Sequence, residues 1–117
     1  MASNNNGAGS LKERVVFGSR EEVDRGDGVT VGEWNEHFTR WASFQHLRGG
    51  ESVQAARLQG QHTIIIRVRA CPKTRTVTTD WRARDERTGT LYAVKDIEVE
   101  TNRAFISFTC QSGVAVG

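Results

Sequence analysis

Apolar and polar residues alternate along most of this chain, and the alternation is cleanest over residues 62–70. There Ile64, Ile66, Val68 and Ala70 fall on one side of an extended backbone while Thr63, Ile65, Arg67 and Arg69 fall on the other, the period-two signature of a half-buried strand. Ahead of it runs a longer and less pure alternation. From Val31 onward Trp34, Glu36, Phe38, Arg40, Ala42 and Phe44 share a side opposite Asn35, His37, Thr39, Trp41 and Ser43, which predicts a long, twisted strand with neither face wholly apolar. Between the two strands, residues 49–60 break the pattern. Their central part, Glu51-Ser52-Val53-Gln54-Ala55-Ala56-Arg57-Leu58, suits one or two helical turns but is too short to hold a helix alone, so two strands flank one long loop.

The remaining elements follow from the same period. Val15 and Phe17 in phase predict a first strand over 11–18, and the charged, glycine-containing stretch 19–28 reads as a hairpin loop or edge excursion. Pro72 withdraws a backbone donor and ends the strand before it. Residues 76–85, rich in Thr and Val, predict a further strand, and Glu86-Arg87-Thr88-Gly89 a turn into a strand over 91–99. Within that strand the apolar phase moves from Tyr92 and Val94 to Ile97 and Val99, which predicts a bulge near Lys95 and Asp96. A turn at Glu100-Thr101-Asn102 leads into a final strand over 103–111 with Ala104, Ile106, Phe108 and Cys110 inward.

Regularly spaced strands with almost no helical periodicity predict an all-β fold, a small antiparallel β-barrel of about six strands with one long inter-strand loop. Closure is favoured because it removes exposed strand edges. Residues 1–10, built from Asn, Gly, Ala and Ser, are expected to be a disordered arm, 11–111 the barrel domain and 112–117 a flexible tail.

A chain of 117 residues has room for one domain and one small core. No apolar run approaches the ~20 residues that a bilayer-crossing helix needs, and the first ten residues lack the apolar centre of a signal peptide. The expected compartment is the cytosol, unless the protein is carried elsewhere in an assembly. Sixteen basic residues are nearly matched by 14 acidic ones, a net charge of +2. That balance does not mark a dedicated nucleic-acid binder, so any DNA contact must come from local placement, for which Arg67 and Arg69 on the outward side of their strand are candidates. Cys71 and Cys110 are expected to stay reduced, and Cys110, in phase with Ile106 and Phe108, reads as a small buried hydrophobe.

Candidate chemistry is sparse. Of His37, His46 and His62, only the last two can approach each other across the base of the long loop, and no Cys or carboxylate joins them at ligand spacing. Cys71 and His62 sit at opposite ends of one strand, roughly 30 Å apart at ~3.3 Å per residue, too far for a nucleophile and its base. The acidic residues are scattered over turns and exposed faces, with no pair spaced for acid and base roles. No catalytic residue, metal or cofactor is expected. Trp34, Trp41 and Trp81 suit core packing or a subunit interface better than a stacking platform, for want of a basic groove beside them.

Taken together, Val31-Gly32-Glu33-Trp34, Trp41-Ala42-Ser43-Phe44, Leu47-Arg48-Gly49-Gly50-Glu51, Ala56-Arg57-Leu58 and the strand from His62 through Arg67-Val68-Arg69 resemble the head-tail connector family of tailed bacteriophages. These are the head-closure or stopper proteins, found also in prophages and gene transfer agents. The likeness spans about 11–111 and departs from many relatives at Asp80-Trp81-Arg82-Ala83-Arg84-Asp85, where a short glycine turn is usual.

The resemblance implies a virion protein at the head-tail joint, assembled in the bacterial host cytoplasm. It implies a homo-oligomeric ring, hexamer or dodecamer, between a portal-side adaptor protein and a tail terminator or tail-tube protein, with packaged double-stranded DNA in its channel and no membrane. It also implies that the long loop, here Gly49, Gly50, Glu51, Ser52, Val53, Gln54, Ala55, Ala56, Arg57 and Leu58, projects into that channel, with Arg48, Arg67 and Arg69 as DNA or subunit contacts. Twelve residues travelling out and back at ~3.3 Å each reach about 20 Å, enough for several copies to meet across a channel wide enough for a duplex. Glu51 and Arg57 are the loop's two charges, so it would obstruct DNA without gripping phosphates strongly. A monomeric nucleic-acid-binding barrel and a small enzyme are the alternatives.

Overall fold

The computed structural model describes residues 11–24, 26, 28, 30–47, 55, 58, 60–101 and 103–113. Six strands account for most of them: β1 (Glu13–Asp24), β2 (Thr30–His46), β3 (His62–Arg69), β4 (Arg82–Asp85), β5 (Leu91–Val99) and β6 (Phe105–Ser112). All neighbours are antiparallel, and the order β1-β2-β3-β6-β5-β4 closes into a barrel when β4 pairs back onto β1, from Val15 against Asp85 to Gly18 against Arg82. The all-β class and the six-stranded closure are those the alternation predicts. The expected disordered arm and most of the expected tail lie outside the described residues.

The barrel is filled by the side chains whose period announced it. Val15, Phe17, Ala42, Ile66, Val68, Val94, Phe108 and Cys110 are fully buried, and Ile64 and Ile106 nearly so. Phe17 stands between Phe38 and Phe108 with ring centroids 5.4 and 5.3 Å away, a tilted arrangement that suits aromatic quadrupoles. Burying each large side chain stabilises the fold by roughly 1.5–3 kcal/mol.

Two bulges set which residues face inward. The predicted one is present: β5 and β6 shift register between Val94 and Asp96, so that Ile97 returns to the core face after Val94. The second corrects the reading of β2. Phe17 pairs with Phe38 and Gly18 with Glu36, leaving His37 as the extra residue. Beyond it the phase of β2 inverts, so Trp34 and Glu36 do not share a side with Phe38 and Ala42. They lie on the outside, where Arg84 bonds Glu36 at 2.6 and 3.2 Å and the Arg82 guanidinium sits 4.6 Å from the Trp34 ring. Gly18 is required at this bulge, because a Cβ there would lie 2.7 Å from the Asn35 carbonyl oxygen.

Three further expectations are resolved or revised. Of the two readings of 19–28, hairpin loop or edge excursion, residues 19–24 follow the second: β1 continues through Asp24 opposite Thr30, held by its pairing with β2 and not by any apolar alternation of its own. The strand predicted over 76–85 shrinks to Arg82–Asp85, and the chain before it forms a 3-10 turn at Thr74–Thr76. The Thr74 hydroxyl explains this. It accepts from the Cys71 amide at 2.8 Å and donates to the Arg69 carbonyl at 3.0 Å, and the turn then drops Val77 into one end of the core. Ala104 is exposed rather than inward. The turn bonds from the Arg103 amide to the Glu100 carbonyl and from the Glu100 amide to the Phe105 carbonyl bend the chain just before β6, with Arg103 at φ 58°.

Candidate functional site

The barrel has two unlike ends. The long loop leaves from one, between His46 and His62, where the Leu47 amide donates to the Thr63 carbonyl at 3.3 Å. Of the loop residues named above, Ala55 and Leu58 are described and both are exposed, Leu58 at 90%. Arg48, Gly49, Gly50, Glu51, Ser52, Val53, Gln54, Ala56 and Arg57 lie outside the described residues. Phe44 and Tyr92 pack at this end with centroids 6.4 Å apart, and burial, with Asp85 nearby, pushes the Tyr92 hydroxyl pKa up. Both histidines at the loop base are exposed, and among the described residues no three His, Cys, Asp or Glu side chains come together to hold a metal ion.

The two arginines of β3 have separate fates. Arg67, on the outer side, is 92% buried because its fork closes on Glu100, with Nε and Nη2 at 2.6 and 3.0 Å from the two carboxylate oxygens. Its guanidinium stacks on Phe105, 3.7 Å from the ring centroid. The Arg67 bonds, working against burial and helped by the Ser107 hydroxyl at 3.0 Å, hold the Glu100 carboxyl below its ordinary pKa. Arg69 remains exposed, its guanidinium 5.7 Å from the Phe105 ring centroid. Arg67 and Arg69 thus do not form a joint basic pair.

At the opposite end β1 and β2 leave the barrel together as a two-stranded arm. Past Gly18, β1 pairs with β2 and no longer with β4, and β2 joins β3 only from Ala42 onward. Residues 19–24 and 30–36 carry one arginine, Arg20, against five carboxylates, Glu21, Glu22, Asp24, Glu33 and Glu36. The arm is therefore acidic on a chain that is basic overall.

Its base holds a constellation that the sequence did not reveal. Ser19 Oγ lies 2.6 Å from His37 Nε2, and Glu21 Oε1 lies 3.4 Å from the same nitrogen. A serine nucleophile needs its base on one ring nitrogen and an orienting carboxylate on the other. Here both partners meet Nε2, Glu21 also accepts from Asn35 at 2.7 Å, and the ring packs 5.0 Å from Trp81, so the cluster braces the bulge. The bulge is what assembled it: only an inserted His37 can turn back toward Ser19.

Cys71 lies near this end. Burial alone would raise its thiol pKa, but the Thr74 hydroxyl and amide at 3.5 Å and the Arg40 guanidinium at 3.7 Å outweigh it and bring the pKa down to about 7. Cys110, deep in the core, is pushed up to about 12 by burial. Both are free thiols.

A model of the phage head completion protein family matches residues 7–113. The chain belongs to that family. As a head completion protein it is a structural component of a phage particle, with its role in closing the head. No curated protein sequence matches it significantly. Two solved structures are similar. One is the solution structure of protein SF1141 from Shigella flexneri 2a, 16% identical, with a TM-score of 0.68 over 92% of this chain and 96% of that one. The other is a chain of the virion of a native gene transfer agent particle, 20% identical, with a TM-score of 0.60 over 90% and 97%. At these identities the likeness is one of fold.

Proposed function

We propose that this head completion protein assembles as a homo-oligomeric ring, a hexamer or dodecamer, below the portal-side adaptor, closes the DNA-filled head and offers the docking surface for a tail terminator or tail-tube protein. The single observation that carries this is the match to the head completion family across nearly the whole chain. The similar chain in a gene transfer agent virion supports it. In this reading residues 49–60 enter the channel and meet packaged DNA, with Arg48 at their root and Arg69 on the barrel wall. The protein works without catalysis, and the Ser19, His37 and Glu21 arrangement agrees with that.

The reading of a lone nucleic-acid-binding barrel is disfavoured by what the candidate side chains are doing. Arg67 is committed to Glu100, and Trp81 packs on Phe38 with centroids 6.0 Å apart. Trp34 lies under Arg82.

Disrupting the gene in a particle-producing cell, followed by electron microscopy and nuclease protection, tests the proposal. Expected are heads that package DNA, lack tails and leak. Normal tailed, infectious particles would remove the head-closure role.

A further inference from the structure

The arm is satisfied in its charges and open in its backbone. Glu36 is gripped by the Arg84 fork, Glu21 accepts from Asn35 and meets His37, and Glu33 also has a partner. The backbone is different. Past Gly18, β1 has no strand on the side where β4 ends, and before Ala42, β2 has none on the side where β3 ends. Pro72, Lys73 and Thr76 share a cleft with His37 and Phe38 and so flank β2 there, which leaves residues 30–36 as its open edge. Residues 19–24 of β1 form a second open edge, on the other side of the same hairpin. Such edges present rows of N–H and C=O groups with no protein partner.

The character of the two edges selects what covers them. Edges that stay solvated are blunted by lysine or proline, and residues 19–24 and 30–36 contain neither. The edges match in length, because 19–24 and 30–35 are the two sides of one ladder. They also run in opposite directions. A copy rotated about an axis along the arm therefore sets its β1 antiparallel to the β2 of its neighbour, the more stable sense of pairing. A foreign strand on one edge would leave the other open, whereas neighbouring copies cover both.

We infer that the β1 edge of one copy, residues 19–24, pairs with the β2 edge of the next, residues 30–36, so that the arms join into one sheet running through the assembly. The contact is head-to-tail, the type that closes into a ring when the rotation between copies allows, and a closed ring of hairpins has no free edge. A two-stranded hairpin is marginally stable in water by itself and gains from added strands, so each arm is ordered by its neighbours. The loop leaves from the opposite end, which keeps this sheet apart from the segment assigned to DNA.

The inference rests on the ring reading above, and cross-linking tests the two separately. The background is Cys71→Ser, which removes the thiol that is not buried. Glu22→Cys protein is mixed in turn with Thr30→Cys, Gly32→Cys and Trp34→Cys protein, all three on the side of the hairpin that Glu22 faces, since Glu22 pairs with Gly32. Each chain carries one arm cysteine, so no bridge between arm positions forms within a copy. The mixtures are added to tailless, DNA-filled heads lacking the protein, oxidised, and linked chains are counted against bound copies. A disulfide needs Cα atoms ~4.4–6.8 Å apart, the spacing of strands lying side by side. In a head-to-tail ring of randomly mixed chains about a quarter of the contacts bring the two cysteines together, so at the best-matched position up to about half of the bound chains run as dimers with one chain of each kind. Each variant alone is expected to give at least about tenfold less. Thermal unfolding of each variant controls for folding, and if Gly32→Cys or Trp34→Cys loosens the arm, Thr30→Cys at its far end repeats the test.

Bound copies with no mixed dimer at any of the three positions overturn the inference. So does a dimer of Glu22→Cys chains alone, which is a two-fold pairing of like edges, or a link to a different virion protein. In each case binding of the Cys71→Ser protein leaves the head-closure reading standing. Protein that never occupies heads removes that reading, and the inference with it.

Discussion

Arg67 illustrates how a side chain's surroundings override its position in a pattern. The period of β3 puts it outside, where an arginine suggests phosphate, but Glu100 arrives from the far end of β5 and closes on it. Sequence period cannot see that contact, because the partner is 33 residues away in the chain. The pair leaves a signature in pH. Glu100 has a folded-state pKa below its ordinary 4.5, so its contribution to stability is fully present above about 4.5 and is lost as pH falls through the folded value. Glu100→Gln should lower stability by about 2 kcal/mol at pH 7, since it leaves the Arg67 charge buried without its counter-ion. The deficit should shrink as pH falls through the lowered folded-state pKa, where the wild-type carboxylate takes up its own proton. Denaturant titrations of both proteins at pH 7 and pH 3 check this, and an equal deficit at both would deny the pair its role. The cysteines make a second residue-scale case. Cys110 was legible as a buried hydrophobe from its phase alone, but the environment of Cys71 depends on a 3-10 turn that no period announces. With thiols near 7 and 12, a thiol reagent at pH 7.5 should label Cys71 in the native protein within minutes. It should reach Cys110 only at the rate of unfolding, as mass spectrometry of the two peptides would show.

Among the elements, strands were legible wherever a single period ran unbroken and misread wherever a bulge reset it. β3 and β6 obey one phase over the full length of their ladder, so their inward residues could be read from the chain. The β5 bulge was legible too, because apolar residues mark both phases, Val94 before and Ile97 after. The β2 bulge was not: Trp34 continues the numerical phase of Phe38 and looks like core, and nothing in the spacing says that His37 is supernumerary. The signal lay in Gly18, whose missing side chain makes room for the Asn35 carbonyl. Gly18→Val should therefore cost about 2–3 kcal/mol, visible as a fall of some 8–15 °C in the unfolding midpoint. It should also disturb the Trp81 environment, which depends on His37 packing against that ring. Unchanged fluorescence and midpoint would show that the arm can leave the barrel without the bulge. β4 was overdrawn for a different reason. Thr and Val favour strands, but Val77 contributes more as an end plug for the core than as an edge residue, and tertiary packing prevailed over propensity.

On the scale of the molecule, the core is closed by strands at its middle, and its two ends are free to do different things. Neither end contributes much to the alternating core: the residues of β1 and β2 that fill it are Val15, Phe17, Ala42 and, in part, Phe38 and Phe44. The loop assigned to the channel joins β2 to β3 beyond His46, where the two strands are already paired from Ala42 against Val68 to His46 against Ile64. Deleting 52–58 shortens a connection whose closure costs only a slowly varying entropy, ~0.6 kcal/mol per doubling of length, so the barrel should keep its unfolding midpoint to within a few degrees. Heads completed with the deletion protein should bind it at wild-type occupancy, since the barrel and its opposite end are intact, yet release their DNA to nuclease. That combination separates the two ends. Occupancy lost together with DNA would mean the loop is an assembly contact, and DNA retained at full occupancy would mean the channel is closed by something other than this segment. A fall of 15 °C or more in the midpoint would place the segment in the core and remove it from the channel altogether.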